Sequence, residues 1–211
     1  RKLKQVASGR LFPALLKGHD DHEHEPMADY LYKTLAETLQ SADYLYNQSK
    51  QTSTRSGYPN SELGRSLQTI ASLIIGDANT SVYYTSLGSF DTHINQHATQ
   101  TRLFSELSDA IGAFTTDLKN ENRFEDVLIV TFSEFGRRVA QNASGGTDHG
   151  TANNMFVIGK SLRNPGLFNK LPDLANLEDG DLQFEIDFRR VYASLLSGWL
   201  GTADEAILQG R

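Results

Sequence analysis

Apolar side chains recur at every third or fourth position in four segments of the chain. These segments are residues 28–48, 61–76, 99–119 and 187–201. Polar residues fill the positions between, as in helices that rest one face on a core and expose the other to water. The spacing therefore predicts four amphipathic helices.

Two of the predicted helices begin at side chains that cap helices well. Ser61 precedes the second helix and Asp187 the fourth, where their oxygens can accept hydrogen bonds from first-turn backbone N–H groups. Gly76 and Gly201 mark the expected ends of these helices. Four residues of the last helix are expected to face the core: Val191, Leu195, Leu196 and Trp199.

Three shorter runs are rich in β-branched and aromatic residues and predict strands at residues 81–87, 127–132 and 155–158. The helix predicted at residues 99–119 separates the first two strands. Strand, helix and strand in this order predict a βαβ unit with parallel strands. The expected fold class is α/β, with a parallel sheet, or alternatively a mixed one, flanked by helices.

Polar loops follow the first two predicted strands, and parallel pairing would open both loops at the same edge of the sheet. Residues 126–159, which hold the second loop and the predicted strands on either side of it, contain nearly every kind of catalytic side chain. The side chains expected to meet are Asp91, His93 and His97 from the first loop and Glu134, Asp148 and His149 from the second.

These six residues are the predicted metal ligands. Carboxylates and imidazoles without cysteine suit a divalent ion, with Zn²⁺ favoured and Mn²⁺ or Ca²⁺ as alternatives. His93 and His97 are four residues apart and would share a face if a helix began after Phe90. In the alternative reading, Asp91 only caps such a helix and both histidines are ordinary surface residues.

Glu134 and Arg137 are the candidate catalytic residues. Glu134 follows a predicted buried strand, where a carboxylate needs a cation or a pairing partner. Arg137 could hold an anionic group of a small-molecule substrate. The alternative is a salt bridge from Glu134 to Arg137 or Arg138. Ser133 is disfavoured as a nucleophile, because the sequence lacks a Ser-His-Asp order and a G-x-S-x-G motif.

The segment HDDHEHE, residues 19–25, concentrates three histidines and four carboxylates. It could bind a divalent ion. The competing interpretation, a solvated loop before the first helix, is favoured because no apolar residue interleaves to fix a coordination geometry.

Charge and composition argue against several classes of partner and structure. The net charge of −6 argues against nucleic acid, which needs clustered Lys and Arg. The absence of cysteine excludes disulfides, and no apolar run approaches the ~18 residues of a membrane span. The chain begins at Arg1 rather than at methionine, so we expect it to be processed or trimmed. The oligomeric state stays open.

Several motifs in order resemble the bacterial exported family called domain of unknown function 1501. They are YYTSLGSFDTH with Gln96, VTFSEFGRR, GGTDHGTANNMFVIG and DFRRVYASLLSGWLG, within residues 58–201. That family in turn resembles the alkaline phosphatase and sulfatase superfamily. The resemblance implies a twin-arginine export signal upstream, a periplasmic or extracellular location, and a chain that is the C-terminal half of the fold.

The resemblance also implies roles for particular residues. Asp91 with His93 or His97 is similar to one metal-binding pair of the superfamily, and His149 to a later metal-binding histidine. Glu134 stands where the superfamily has an aspartate. Phe135 stands where it has a histidine, a departure that bears on a second metal. The superfamily's nucleophile would lie outside this chain.

The expected organisation is a helical N-terminal segment, residues 1–57, followed by an alkaline-phosphatase-like α/β half, residues 58–211. The expected function is metal-dependent hydrolysis of phosphate or sulfate esters. The alternative is a binding or structural protein that keeps the fold without turnover.

Overall fold

The computed structural model describes residues 26–51 and 53–208. The segment at residues 19–25, considered above as a metal ligand set, lies outside them. The chain divides into two compact units, one of residues 1–53 and 72–78 and the other of residues 54–71 and 79–211. Every candidate site residue of the two loops belongs to the second unit.

The four amphipathic helices predicted from apolar spacing are confirmed. Helix α1 is Pro26–Gln51, α2 is Glu62–Ile75, α3 is Gln96–Asn120 and α4 is Phe188–Gly198. A single 3-10 turn, Phe124–Asp126, follows α3, and a short helix α5, Glu205–Leu208, follows α4. None of the helices in the described part of the chain combines the length and the hydropathy that crossing a bilayer requires.

Both predicted N-caps are present. The Ser61 hydroxyl accepts a hydrogen bond of 3.1 Å from the backbone N–H of Gly64, and the Asp187 carboxylate accepts one of 2.9 Å from that of Arg189. Helix α4 ends at Gly198, three residues before the predicted glycine. Trp199, expected in the core, is 39% exposed because it lies past this end.

Among the described residues, six short strands form three separate antiparallel pairs. Strand β1, Ile129–Val130, pairs with β4, Val157–Ile158. Strand β2, Gly136–Gln141, pairs with β3, Thr147–Gly150. Strand β5, Leu177–Glu178, pairs with β6, Asp181–Leu182, outside the three predicted strands.

The predicted α/β fold with a parallel, alkaline-phosphatase-like sheet is therefore wrong. Residues 81–87 form no strand, and their side chains are exposed or half-buried. Residues 127–132 give only the two-residue strand β1, whose neighbour β4 runs antiparallel to it. These segments have the composition of strands, but composition does not supply the backbone partner that a strand needs.

The second unit buries an apolar stripe of helix α3. Leu103 and Leu118 are fully buried, and burying a leucine side chain contributes about 1.5–3 kcal/mol relative to leaving it in water. Other buried apolar residues of this unit are Leu63, Leu67, Ala71, Ala110, Ala113, Phe114 and Ala193. The stripe matches the spacing that predicted the helix.

One charged residue interrupts this stripe. Asp117 is 2% exposed, and its Oδ1 atom accepts hydrogen bonds from the backbone N–H of Arg55, the backbone N–H of Ser56 and the Ser56 hydroxyl, at 3.2, 2.9 and 2.7 Å. Burial, together with the adjacent Asp117 carboxylate, raises the pKa of the Tyr58 hydroxyl. Hydrogen bonds to Asp117 thus hold residues 55–56 against helix α3.

Candidate metal centre

The hairpin of β2 and β3 provides one side of the candidate site. Its register places Arg137 opposite His149 and Gly136 opposite Gly150, with an irregularity between Arg137 and Gln141. The backbone at the start of β2 lies close to that of residue 152. A Cβ on Gly136 would therefore lie 1.7 Å from the carbonyl oxygen of Ala152. Only glycine fits at this point of approach.

The turn of the hairpin, residues 142–146, is shaped by Asn142. Its Oδ1 atom accepts hydrogen bonds of 3.0 Å from the backbone N–H groups of Ser144 and Gly146. An asparagine that bonds to the backbone two residues ahead is a common way of closing a turn. Gly145 has a φ of 74°, in the region that glycine enters without strain.

This turn packs against the segment that carries two of the candidate ligands, Asp91 and His93. The Asn142 side-chain amide donates to the carbonyl of His93 at 3.0 Å, and the Thr147 hydroxyl donates to the Gln96 side-chain oxygen at 3.0 Å. A Cβ on Gly146 would lie 2.3 Å from the His93 carbonyl oxygen. Residues 93–96 and the hairpin are therefore in close backbone contact.

Asp91, His93 and His149 converge at this contact. The Oδ1 atom of Asp91 lies 2.7 Å from Nε2 of His149 and 2.9 Å from Nε2 of His93. One ligand atom from each of the three residues lies within 4.8 Å of the other two. All three side chains remain exposed, at 63%, 47% and 46% in chain order. The predicted convergence of these three residues is confirmed.

The imidazoles change the acidity of the carboxyl group between them. The hydrogen bond with His149, and then the charge of both imidazoles, holds the pKa of the Asp91 carboxyl below its usual range. Asp91 is therefore a carboxylate at neutral pH. This is the protonation state that a metal ligand requires.

Two imidazole nitrogens and one carboxylate oxygen are a donor set that fits a divalent ion such as Zn²⁺. Bonds of about 2.0–2.1 Å at a tetrahedral angle separate neighbouring ligand atoms by roughly 3.3 Å. The Asp91–His149 and Asp91–His93 distances, 2.7 and 2.9 Å, are shorter by about half an ångström. Small rotations of exposed side chains would exchange these hydrogen bonds for metal bonds.

The other predicted ligands lie differently. Helix α3 begins only at Gln96, so His93 precedes the helix and does not share a helical face with His97, which is exposed. Asp148 lies on the far side of the His93 ring, with its Oδ1 atom 3.5 Å from Nδ1. Glu134 is exposed and is not one of the three converging residues.

Arg137 joins the two segments that carry the ligands. Its Nη1 atom donates to the carbonyl of Thr147 at 2.6 Å, and its Nη2 atom donates to the carbonyl of Phe90 at 2.5 Å. Nη2 is also 3.9 Å from Oδ1 of Asp91. These bonds direct the guanidinium toward backbone oxygens of the protein, and its charge lies beside the Asp91 carboxylate.

Sequence reasoning missed several residues that hold the site together, among them Asn142 and Thr147. The run NASGG between two polar runs is typical of a hairpin turn. The flanking runs, however, are too polar to resemble strands. The turn also packs against residues 93–96, which only the folded chain brings near.

The comparisons with known proteins assign the chain to a family. The profile of the family described as "Protein of unknown function (DUF1501)" matches residues 21–205. No curated protein and no solved structure matches the chain. The match covers most of the sequence and includes Asp91, His93 and His149. The chain therefore belongs to the DUF1501 family, a protein family of unknown function.

Proposed function

We propose that this protein binds one divalent metal ion through Asp91, His93 and His149. The observation that carries the proposal is the convergence of their three ligand atoms within 4.8 Å. Exposed acidic and imidazole groups often meet without binding an ion. Here, however, residues 91 and 149 are 58 positions apart, and the contact of the hairpin turn with His93 brings them together.

We propose further that the ion serves metal-dependent hydrolysis of phosphate or sulfate esters. Three protein ligands leave part of the coordination sphere open, which is the pattern of catalytic rather than structural zinc sites. A bound ion would supply Lewis-acid polarisation of an ester oxygen. The half-exposed ligands leave room for an anionic small molecule, and Arg137 adds positive charge 3.9 Å from Asp91.

Glu134 and Asp148 remain candidates for supporting roles at this centre. Asp148 belongs to strand β3 of the hairpin and adjoins His93, and Glu134 lies two residues before strand β2. We propose that Asp148 orients His93 rather than binding the ion itself, because it faces the ring nitrogen opposite to the one that faces Asp91. Arg137 is proposed to fix the ligand-bearing segments, since backbone carbonyls engage both of its terminal nitrogens.

Metal content tests the binding proposal. The chain is purified, loaded separately with Zn²⁺, Mn²⁺ and Ca²⁺, desalted and measured by elemental analysis. We expect about one zinc ion per wild-type chain and loss of that ion in His149→Asn. His97→Asn is the matched control, because His97 is an exposed histidine outside the converging group. Equal zinc content in all three proteins, or none in the wild type, would refute the site.

Hydrolysis is tested on the same zinc-loaded proteins with p-nitrophenyl phosphate and p-nitrophenyl sulfate. We expect a metal-dependent rate in the wild type and in His97→Asn that is lost in His149→Asn. The expectation that the nucleophile lies outside this chain depended on the alkaline-phosphatase-like fold, which the structure contradicts. One bound zinc ion with no rate above that of His149→Asn would refute hydrolysis of these esters and favour a metal-binding protein without turnover.

We also propose a periplasmic or extracellular location. Support for this comes from the similarity to exported bacterial proteins described above. Cell fractionation of a host that expresses the gene from its native start codon tests the location. We expect the protein in the periplasmic or culture fraction, and recovery only with cytoplasmic markers would refute the proposal.

A further inference from the structure

Phe135 stacks on one of the candidate metal ligands. The centroids of the Phe135 and His149 rings are 3.9 Å apart, and their planes differ by 5°. The Arg137 guanidinium lies 5.0 Å from the centroid of the Phe135 ring, and the His93 ring is stacked with His149 at a centroid distance of 5.0 Å. His149 therefore lies between the phenyl ring and the other metal-ligating imidazole.

Two side-chain hydrogen bonds hold the backbone of Phe135 in the position from which its ring stacks on His149. Its carbonyl accepts one hydrogen bond from the Ser133 hydroxyl at 3.0 Å and another from the Asn153 side-chain amide at 2.7 Å. The next residue, Gly136, is the close-contact glycine at the start of β2. The phenyl ring thus projects from a fixed turn and is not a loosely attached surface side chain.

His149 needs such a support because the hairpin alone does not fix its ring. The side chain is 46% exposed, and its backbone position in β3 leaves the two side-chain torsions free to turn the imidazole away from Asp91. A planar ring 3.9 Å away restricts the imidazole to one plane. In this plane, Nε2 of His149 is directed at Oδ1 of Asp91.

We propose that Phe135 is a positioning residue, which holds the His149 imidazole in the plane that directs Nε2 toward Asp91 and the metal. The metal part of this inference rests on the proposed function. Phe135 needs no contact with the ion, because it acts through His149. Restricting a metal-ligating ring with a neighbouring side chain raises affinity by reducing the freedom lost on binding.

The first measurement uses the metal-free protein and does not depend on the proposed function. The His149 ring protons are assigned by comparing histidine NMR spectra of the wild type and His149→Asn. A stacked phenyl ring shifts these protons upfield. We expect Phe135→Leu to remove the upfield shift and Phe135→Tyr to retain it. Phe132→Leu, an exposed phenylalanine three residues away, is the control and should leave the shift unchanged.

The second measurement is zinc affinity by competition with a chelator, with circular dichroism and thermal unfolding as checks on the fold. We expect Phe135→Leu to weaken zinc binding by roughly 3- to 10-fold, the factor that an aromatic pair contributes. Phe135→Tyr and Phe132→Leu should bind as the wild type does. This pattern distinguishes positioning of a ligand from a general loss of stability, which would also affect unfolding.

The outcomes separate the two proposals. An unchanged His149 shift in Phe135→Leu would overturn the stack itself. A lost shift with unchanged zinc affinity would overturn its role in positioning the ligand. Failure of the wild type to bind zinc would refute the metal site and, with it, the metal part of this inference. The NMR comparison would then still decide whether Phe135 holds His149 against Asp91.

Discussion

Single side chains beyond the three proposed ligands are expected to tune the centre, and Asp148 is one of them. Its carboxylate is 3.5 Å from Nδ1 of His93, while Nε2 of the same ring faces Asp91. A carboxylate at this position fixes the tautomer and the orientation of a ligating histidine. We expect Asp148→Asn to weaken zinc binding by roughly 10- to 100-fold and to leave the bound-zinc stoichiometry unchanged.

The measurement is a zinc titration against a chelator, compared with Asp91→Asn. Loss of the Asp91 carboxylate should abolish stoichiometric binding. If Asp148→Asn also abolished it, Asp148 would be a direct ligand, and its assignment as the partner of His93 would be incorrect.

Asp117 is a buried polar residue whose loss should strongly affect stability. Three hydrogen bonds end on its buried Oδ1 atom, and removing the carboxylate leaves their donors without this acceptor. We expect Asp117→Ala to lower the free energy of unfolding by about 3 kcal/mol, measured by urea denaturation. Asp109→Ala, at an exposed position of the same helix, should change it by less than about 0.5 kcal/mol. Equal effects would show that Asp117 has no special role.

At the scale of elements, the contact between the hairpin turn and residues 93–96 decides whether the ligands meet. A methyl group on Gly146 would lie 2.3 Å from the His93 carbonyl oxygen, so the turn and this segment must separate. We expect Gly146→Ala to cost about 1–3 kcal/mol of stability and to weaken zinc binding. Gly88→Ala, where a Cβ meets nothing within 4 Å, is the control and should do neither.

Helix α4 provides a pH-dependent test that is independent of the metal. Hydrogen bonds from the Arg189 side chain and backbone to Asp187 lower the pKa of this carboxyl group from 3.8 to about 2. Since the folded pKa is depressed, the ionised group stabilises the fold fully above pH 3.8, and this contribution is lost as the pH falls through 3.8 toward about 2.

Asp187→Asn keeps a good N-cap but removes the charge. Urea denaturation should therefore show the wild type as the more stable protein at pH 6. The difference should shrink between pH 4 and pH 2 and be lost below the folded pKa. A difference that is constant across this range would contradict the role of the Asp187 charge.

Helices could be predicted from the sequence because their hydrogen bonds are local. The 3.6-residue spacing of apolar side chains in α3, and the caps at Ser61 and Asp187, are properties of adjacent residues. Strands could not be predicted in the same way, because the strands they pair with are distant in the sequence. The run at residues 81–87 has a strand-like composition but forms no strand, whereas the polar run Gly136–Gln141 is paired with β3.

At the scale of the whole molecule, the sequence predicted the convergence of Asp91, His93 and His149 by a wrong route. Parallel strands were expected to bring Asp91 and His149 to one sheet edge, but an antiparallel hairpin and its turn bring them together. The prediction depended on residue types rather than on the fold. Aspartate and histidine concentrated in two loops indicate metal binding in more than one topology. The fold class needed long-range pairing that residue types do not encode.

The central claim is that Asp91, His93 and His149 bind one divalent ion. The most direct measurement is an anomalous difference map at the zinc absorption edge from crystals grown with Zn²⁺. We expect one strong peak about 2.0–2.2 Å from a nitrogen of His93, a nitrogen of His149 and a carboxylate oxygen of Asp91. No peak at these residues, or a peak bound by other side chains while all three remain hydrogen-bonded to one another, would contradict it.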